Sequence, residues 1–201
     1  MNPSDVCDLS HCSLQVPVNN KFTSISNLKD YHDSHFYKEN DYIVCRITCG
    51  EVTSGGSHYP RTELKGKTSF TSKDRQHLEG DYCIKKAPIK KPVVCFSQVK
   101  CTNPNIEIEF LYSNGHLVFR DFDAKHYDMG PYKLGDWFHM RVASFNNEIH
   151  VFLNRNPKEV VIRKNVFSNC NWKMGCYTQS NGTIDDPKTE SMVLLKNIHI
   201  V

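Results

Sequence analysis

Three stretches of the chain place polar side chains two residues apart: Arg61-Thr62-Glu63-Leu64-Lys65, Gln98-Val99-Lys100 and Lys173-Met174-Gly175-Cys176-Tyr177-Thr178-Gln179. Successive side chains of a strand point to opposite faces, so Arg61, Glu63 and Lys65 share one face while Thr62 and Leu64 share the other. A solvated edge strand alternates in the same way. Repetition in three stretches favours instead a groove of cations, amides and a phenol, suited to an acidic, hydroxyl-rich ligand. Glu63, Lys65, Lys173 and Gln179 are its candidate binding residues.

One reaction needs such a set. In β-elimination on a 4-linked uronic acid, the C5 proton becomes removable only when the neighbouring carboxylate is neutralised. Arg61 and Gln98 can do this with charge-assisted and neutral hydrogen bonds. A base then takes the proton and an acid protonates the departing O4. Tyr177 suits the acid; Lys100 or Tyr177 itself is the base. No carboxylate pair stands at obvious spacing for two-acid glycoside hydrolysis. Neither a Gly-rich phosphate loop nor a G-x-S-x-G elbow is present.

The elements that must position these residues read as strands. Runs rich in β-formers recur about every ten residues: Leu14–Val18, Tyr42–Thr48, Pro60–Lys65, Val93–Cys101, Ile106–Tyr112, Leu117–Phe122, Phe138–Ser144, Glu148–Asn154, Glu159–Arg163, Lys173–Gln179 and Met192–Ile200. Gly and Asn, which tolerate positive φ, separate them, and Asn114-Gly115 and Asn146-Asn147 read as hairpin turns. A turn also accounts for Asn181-Gly182-Thr183 and for Asn154-Arg155-Asn156-Pro157. One short helix is expected within Ser24–Asp33, capped by Ser26. The pattern predicts an all-β fold, an antiparallel β-sandwich of jelly-roll type with a concave groove.

The 201 residues fit one domain spanning 1–201, with 39% hydrophobic and 23% charged residues. A net charge of +3 is too mild for a nucleic-acid partner. No run of about 18 apolar residues would cross a membrane. Met1–Val6 has neither a basic region nor an apolar core, so no signal peptide is expected. The expected setting is the compartment of synthesis, or carriage in a particle, unless a leader has been removed. Nine cysteines leave at least one unpaired. None has the C-x-x-C spacing of a zinc site, and mostly reduced, half-buried thiols are expected.

The three motifs, in this order, resemble the strand motifs of the alginate lyase superfamily, polysaccharide lyase families 7 and 14. Leu14-Gln15-Val16-Pro17-Val18 is similar to its opening strand, and Tyr132-Lys133-Leu134-Gly135-Asp136-Trp137-Phe138 to its entry into the late hairpin. The resemblance implies a β-jelly-roll polysaccharide lyase that needs no metal or cofactor and acts as a monomer on an anionic polysaccharide, alginate or a glucuronate-containing cell-wall glycan. It adds Arg120 and Tyr132 as substrate-binding residues and retains Tyr177 in proton transfer. Family 7 carries His where this chain has Lys100, whereas a lysine resembles the viral and molluscan family 14 branch. Asn171 replaces the first aromatic of the last motif. Two roles for Lys100 stay open: a neutral base, its pKa lowered by neighbouring cations, or a cation on the carboxylate beside a Tyr177 that moves both protons. The second is favoured, because a free lysine titrates near ~10.4 and an anionic polymer raises that further. The rival from another class is a non-catalytic jelly roll that binds acidic polysaccharides. Tyr177 beside Lys173 and Gln179 argues for the enzyme, since a binding module would present exposed Trp or Phe. A structural, capsid-like jelly roll would leave the three polar motifs unexplained.

Overall fold

A computed structural model describes residues 2–154, 160–163 and 166–201. Among them a short 3-10 turn, Pro3–Asp5, precedes fifteen strands. In chain order these are β1 (Cys12–Val18), β2 (Lys21–Ile25), β3 (Phe36–Glu39), β4 (Tyr42–Thr48), β5 (Arg61–Gly66), β6 (Gln76–Lys86), β7 (Val93–Asn103) and β8 (Asn105–Ser113). There follow β9 (His116–Arg120), β10 (His126–Pro131), β11 (Phe138–Phe145), β12 (Glu148–Leu153), β13 (Val160–Arg163), β14 (Ser168–Thr178) and β15 (Glu190–Ile200). An eight-stranded sheet runs β10-β9-β8-β7-β14-β5-β1-β2 and a seven-stranded sheet runs β13-β12-β11-β6-β15-β4-β3. Neighbouring strands are antiparallel throughout, for example β5 with β14 and β7 with β8. The jelly-roll sandwich expected from the sequence is the fold observed.

Alternation along each strand builds the core. Leu14, Leu64, Val99, Ile108, Phe119 and Met174 of the larger sheet face Ile43, Leu78, Tyr82, Met140, Val193 and Leu195 of the smaller, all buried. Removing that apolar surface from water is the main stabilising term. The residues of opposite parity on β5, β7, β8 and β14 therefore point away from the core, which is where the charged side chains lie.

The sequence reading needs three corrections. Ser24–Asp33 forms no helix: Asn19 and Asn20 both take positive φ, 49° and 60°, and turn the chain into β2, which pairs with β1 from Val18↔Lys21 to Leu14↔Ile25. Such a two-residue turn twists with the strands it joins, and it overrides a weak capping signal. Four strands, β2, β3, β6 and β10, went unread. Of these β6 is central, with Gly80 interrupting its apolar face because Ile198 fills the space a Cβ would need. Finally, Cys101 and Cys170, opposite each other on β7 and β14, form a disulfide. The other seven cysteines are free, six of them buried. Glu159 of one expected strand, and Arg155–Pro157 of one expected turn, lie outside the described residues. Among the described residues no helix is long and apolar enough to cross a membrane.

Candidate active site

The outward face of β5, β14, β7, β8 and β9 forms the floor of a groove of about 380 Å³. Antiparallel register decides who meets whom: Tyr177 lies opposite Arg61, Lys173 opposite both Lys65 and Gln98, Gln98 opposite Glu109, and Lys100 opposite Glu107. Arg61, Gln98, Lys100 and Tyr177, expected to carry the chemistry, all line this groove, as do Arg120, Lys173 and Gln179.

Beneath them lies Glu63, 1% exposed. Its Oε1 accepts the Gln98 amide. Its Oε2 accepts Lys173 Nζ at 3.1 Å and faces Arg61 Nη1 at 3.5 Å. Lys173 Nζ also donates to Gln15 Oε1 at 2.9 Å. A buried carboxylate requires partners of this kind, so Glu63 holds the groove's donors in place beneath the surface rather than facing a ligand. Arg61 lies with its guanidinium carbon 4.3 Å from the Tyr177 ring centroid, and its Nη2 donates to Ser54 Oγ at 3.3 Å. Arg61 Nε and Gln179 Nε2 are buried with no hydrogen-bond partner among the described residues. Unpaired buried donors of this kind are costly.

Tyr177 is held at its hydroxyl by Ser57 Oγ, 3.0 Å away. Burial pushes its pKa above the usual tyrosine value, while the Ser57 hydrogen bond and the Arg61 charge pull in the opposite direction. Ser57 belongs to the segment Gly56–Tyr59, which forms one wall of the groove. Asn181 Nδ2 anchors that wall by donating to the His58 carbonyl at 3.2 Å. Lys91 Nζ donates to the Tyr59 hydroxyl at 2.8 Å.

Two carboxylates escaped the sequence reading. Glu107 and Glu109 line the groove from β8. Lys100 Nζ donates to Glu107 Oε2 at 3.1 Å, and Arg120 Nη2 is 3.6 Å from Glu107 Oε1. Arg120 also ion-pairs with Glu109, although the approach to Oε2 is not aligned as a hydrogen bond. Burial drives the Glu109 pKa up to about 7; Arg120 opposes the shift and Glu107 adds to it. The missed signal was legible. Ile106-Glu107-Ile108-Glu109 alternates, and a tight β7–β8 connection sets both carboxylates beside Lys100 and Gln98.

Besides Glu63, which lies beneath the floor, two further expected binding residues are not in the groove. Lys65 shares the outward face of β5 but lies beyond the lining, between Ser13 and Lys173. Tyr132 sits between the sheets: its hydroxyl accepts the Ile84 N–H of β6 at 2.9 Å and donates to the Asp136 carbonyl. Its ring packs edge-on against Phe138 at 5.3 Å. The segment from β10 to β11 crosses from one sheet to the other, so this tyrosine faces the core. Among the described residues no cluster of His, Cys, Asp and Glu is arranged to hold a metal ion.

The chain is thus a two-sheet antiparallel sandwich with a polar groove across one sheet, lined by Arg61, Gln98, Lys100 and Tyr177. A family model described as alginate lyase matches residues 7–200, and the chain belongs to that family, as a polysaccharide lyase. Among solved structures it is similar to the alginate lyase AlgAT5 from polysaccharide lyase family 7, with 26% identity, 100% of this chain and 98% of that chain covered, and a TM-score of 0.89. It shares its fold with the alginate lyase from Corynebacterium sp. (21% identity, 100% and 97% covered, TM-score 0.90). The same holds for the family 7 alginate lyase A1-II′ solved with the substrate GGMG (19% identity, 100% and 96% covered, TM-score 0.84). A search of curated proteins finds no match.

Proposed function

We propose that the chain cleaves a 4-linked uronate polymer, alginate or a glucuronate-containing glycan, by β-elimination at Arg61, Gln98, Lys100 and Tyr177. The observation that carries this reading is the Arg61 guanidinium lying 4.3 Å over the Tyr177 ring, with Gln98 and Lys100 in the same groove. A ring whose carboxylate meets Arg61 and Gln98 has its C5 proton acidified, because these donors stabilise the charge that develops on the carboxylate. Tyr177, as phenolate, takes the C5 proton. The C4–C5 double bond forms as the C4–O4 bond breaks, and the phenol returns its proton to O4. Lys100 acts as a cation, paired with Glu107, and Arg61 beside the ring offsets part of the cost that burial puts on the phenolate. The lysine at this position aligns the chain with the family 14 branch. The proposal takes the chain as a single catalytic unit, working as a monomer without a metal. Incubation with alginate, polymannuronate, polyguluronate and glucuronan, following the ultraviolet absorbance of the unsaturated product, tests it. Binding without any absorbance change on these polymers would mark the chain as a carbohydrate-binding jelly roll.

A further inference from the structure

The residue that touches the Tyr177 hydroxyl lies on the groove wall, outside the three strand motifs. It belongs to the turn Ser54-Gly55-Gly56-Ser57, closed by the Ser57 N–H donating to the Ser54 carbonyl at 2.9 Å. The two ends of this turn meet the two stacked groups of the site. Ser54 Oγ accepts Arg61 Nη2 at 3.3 Å, and Ser57 Oγ stands 3.0 Å from the Tyr177 hydroxyl. Besides the phenol, Ser57 Oγ donates to the Tyr59 carbonyl at 2.9 Å and accepts the Tyr59 N–H at 3.3 Å.

A serine hydroxyl carries a single proton and two lone pairs. With the proton on the Tyr59 carbonyl and one lone pair on the Tyr59 N–H, one lone pair is left, and the phenol O–H donates into it. A phenolate has no proton to give and only accepts. Ser57 meets it by turning its own O–H from the Tyr59 carbonyl to the Tyr177 oxygen, a rotation about one bond that moves no heavy atom. A hydrogen bond to an ionised acceptor is roughly twice as strong as a neutral one, so the exchange favours the ionised phenol. The other influences on the phenol stay as they are: burial, Cys95 and Glu63 oppose the charge, and Arg61 favours it. Lys100 and His58 share the groove.

We propose that Ser57 is a positioning residue of the reaction: its proton serves the Tyr59 carbonyl while Tyr177 is neutral and turns to the Tyr177 oxygen once the phenol has released its proton to water. No bond between heavy atoms changes in this step; the phenolic proton goes to solvent and Ser57 keeps its own. The hydroxyl then holds the phenolate oxygen in the groove until it takes the C5 proton. In this role Ser57 acts through Tyr177 and not on the sugar. The inference rests on the lyase reading for its consequence in catalysis, but the exchange of hydrogen bonds is a property of the free protein.

The test has two readouts. The first is the ultraviolet titration of tyrosinate in the free protein, taken as the difference between each protein and its Tyr177→Phe counterpart so that only Tyr177 is read. Ser57→Ala should displace the ionisation to higher pH, making the phenolate about tenfold scarcer at a given pH below the transition. Ser57→Thr keeps the hydroxyl and should restore the wild-type curve. The second readout is kcat/KM on the cleaved uronate polymer across the rising limb of its pH profile. There Ser57→Ala should lose about tenfold below the limb and much less on the plateau above it, with the change in kcat and not in KM. A serine that only braces the wall would lower the rate by the same factor at every pH. An undisplaced titration, a displacement to lower pH, a threonine variant that titrates like the alanine one, or a loss independent of pH overturns the inference. If no polymer is cleaved, the lyase reading fails on its own account, and the titration alone decides the exchange at Ser57: displacement to higher pH upholds it, and no displacement overturns it.

Discussion

At the residue scale the chemistry concentrates on a phenol placed between a guanidinium and a serine hydroxyl. Tyr177→Phe removes only the oxygen that moves protons and leaves the ring stacked under Arg61, so kcat should fall by about 10² to 10⁴ with an unchanged melting temperature. A near-wild-type rate on purified polymer would take Tyr177 out of the mechanism. Lys100 poses a different question, because it is paired with Glu107. Lys100→Ala should nearly abolish activity, leaving Glu107 with only its longer contact to Arg120, whereas Lys100→His should retain part of it; full activity in the alanine variant would make the lysine a bystander. Glu109 links the site to stability. Its folded pKa of about 7 lies above the 4.5 of an unperturbed glutamate, so between those values the folded state holds a proton that the unfolded chain has released. Stability must therefore fall as pH rises from about 4.5 to 7, by on the order of 3 kcal/mol at most. Glu109→Gln, which cannot ionise, should flatten that slope in urea titrations at pH 5 and pH 7, and an unchanged slope would show that burial of Glu109 is not its source.

At the element scale the site depends on β14 lying close against β5. Gly175 makes this possible: its φ is +144°, and a Cβ there would stand 2.5 Å from the Thr62 carbonyl oxygen and 2.9 Å from Glu63 Cα. The pairing of β14 with β7 shifts register between Met174 and Tyr177, a bulge of the kind that re-aims side chains next to active sites. Gly175→Ala should thus cost about 2–4 kcal/mol and lower kcat/KM as well, because Tyr177 and Arg61 are paired across that contact. A denaturation midpoint equal to wild type would show that the strands can separate without loss. This scale also marks what sequence could and could not convey. Alternation within Arg61–Lys65, Gln98–Lys100 and Lys173–Gln179 identified β5, β7 and β14 and the sides these residues face, although β7 does not alternate from Val93 to Ser97. The same rule failed for β6, whose core face includes a glycine, and for β10, which breaks register between Asp128 and Gly130. Tyr132 was misplaced because its position depends on a crossing between sheets, and no local pattern encodes that.

At the scale of the whole molecule, the electrostatic character of the groove follows from strand order more than from composition. The sequence shows an excess of three positive charges and three basic motifs, which suggested electrostatic capture of a polyanion. The fold brings β8 beside β7 and puts Glu107 and Glu109 against Lys100 and Arg120, so that four cations share the groove region with three carboxylates, Glu63 included. The alternation of Ile106-Glu107-Ile108-Glu109 is legible in the sequence, but which cations the carboxylates meet follows from the pairing of β8 with β7 and β9. A uniformly cationic groove would hold its polymer through charges that salt screens over about 8–10 Å, and its KM would climb steeply with ionic strength. In the groove observed, long-range attraction largely cancels and short hydrogen bonds from Arg61, Gln98 and Lys173 remain, partly buried and less open to screening. KM should accordingly rise no more than about threefold between 0.05 and 0.5 M sodium chloride, and the Glu107→Gln, Glu109→Gln double variant should show a visibly steeper dependence. Steady-state rates over a salt series measure both, and a wild-type KM that climbs tenfold or more would mean that the carboxylates of β8 do not offset the cations facing them.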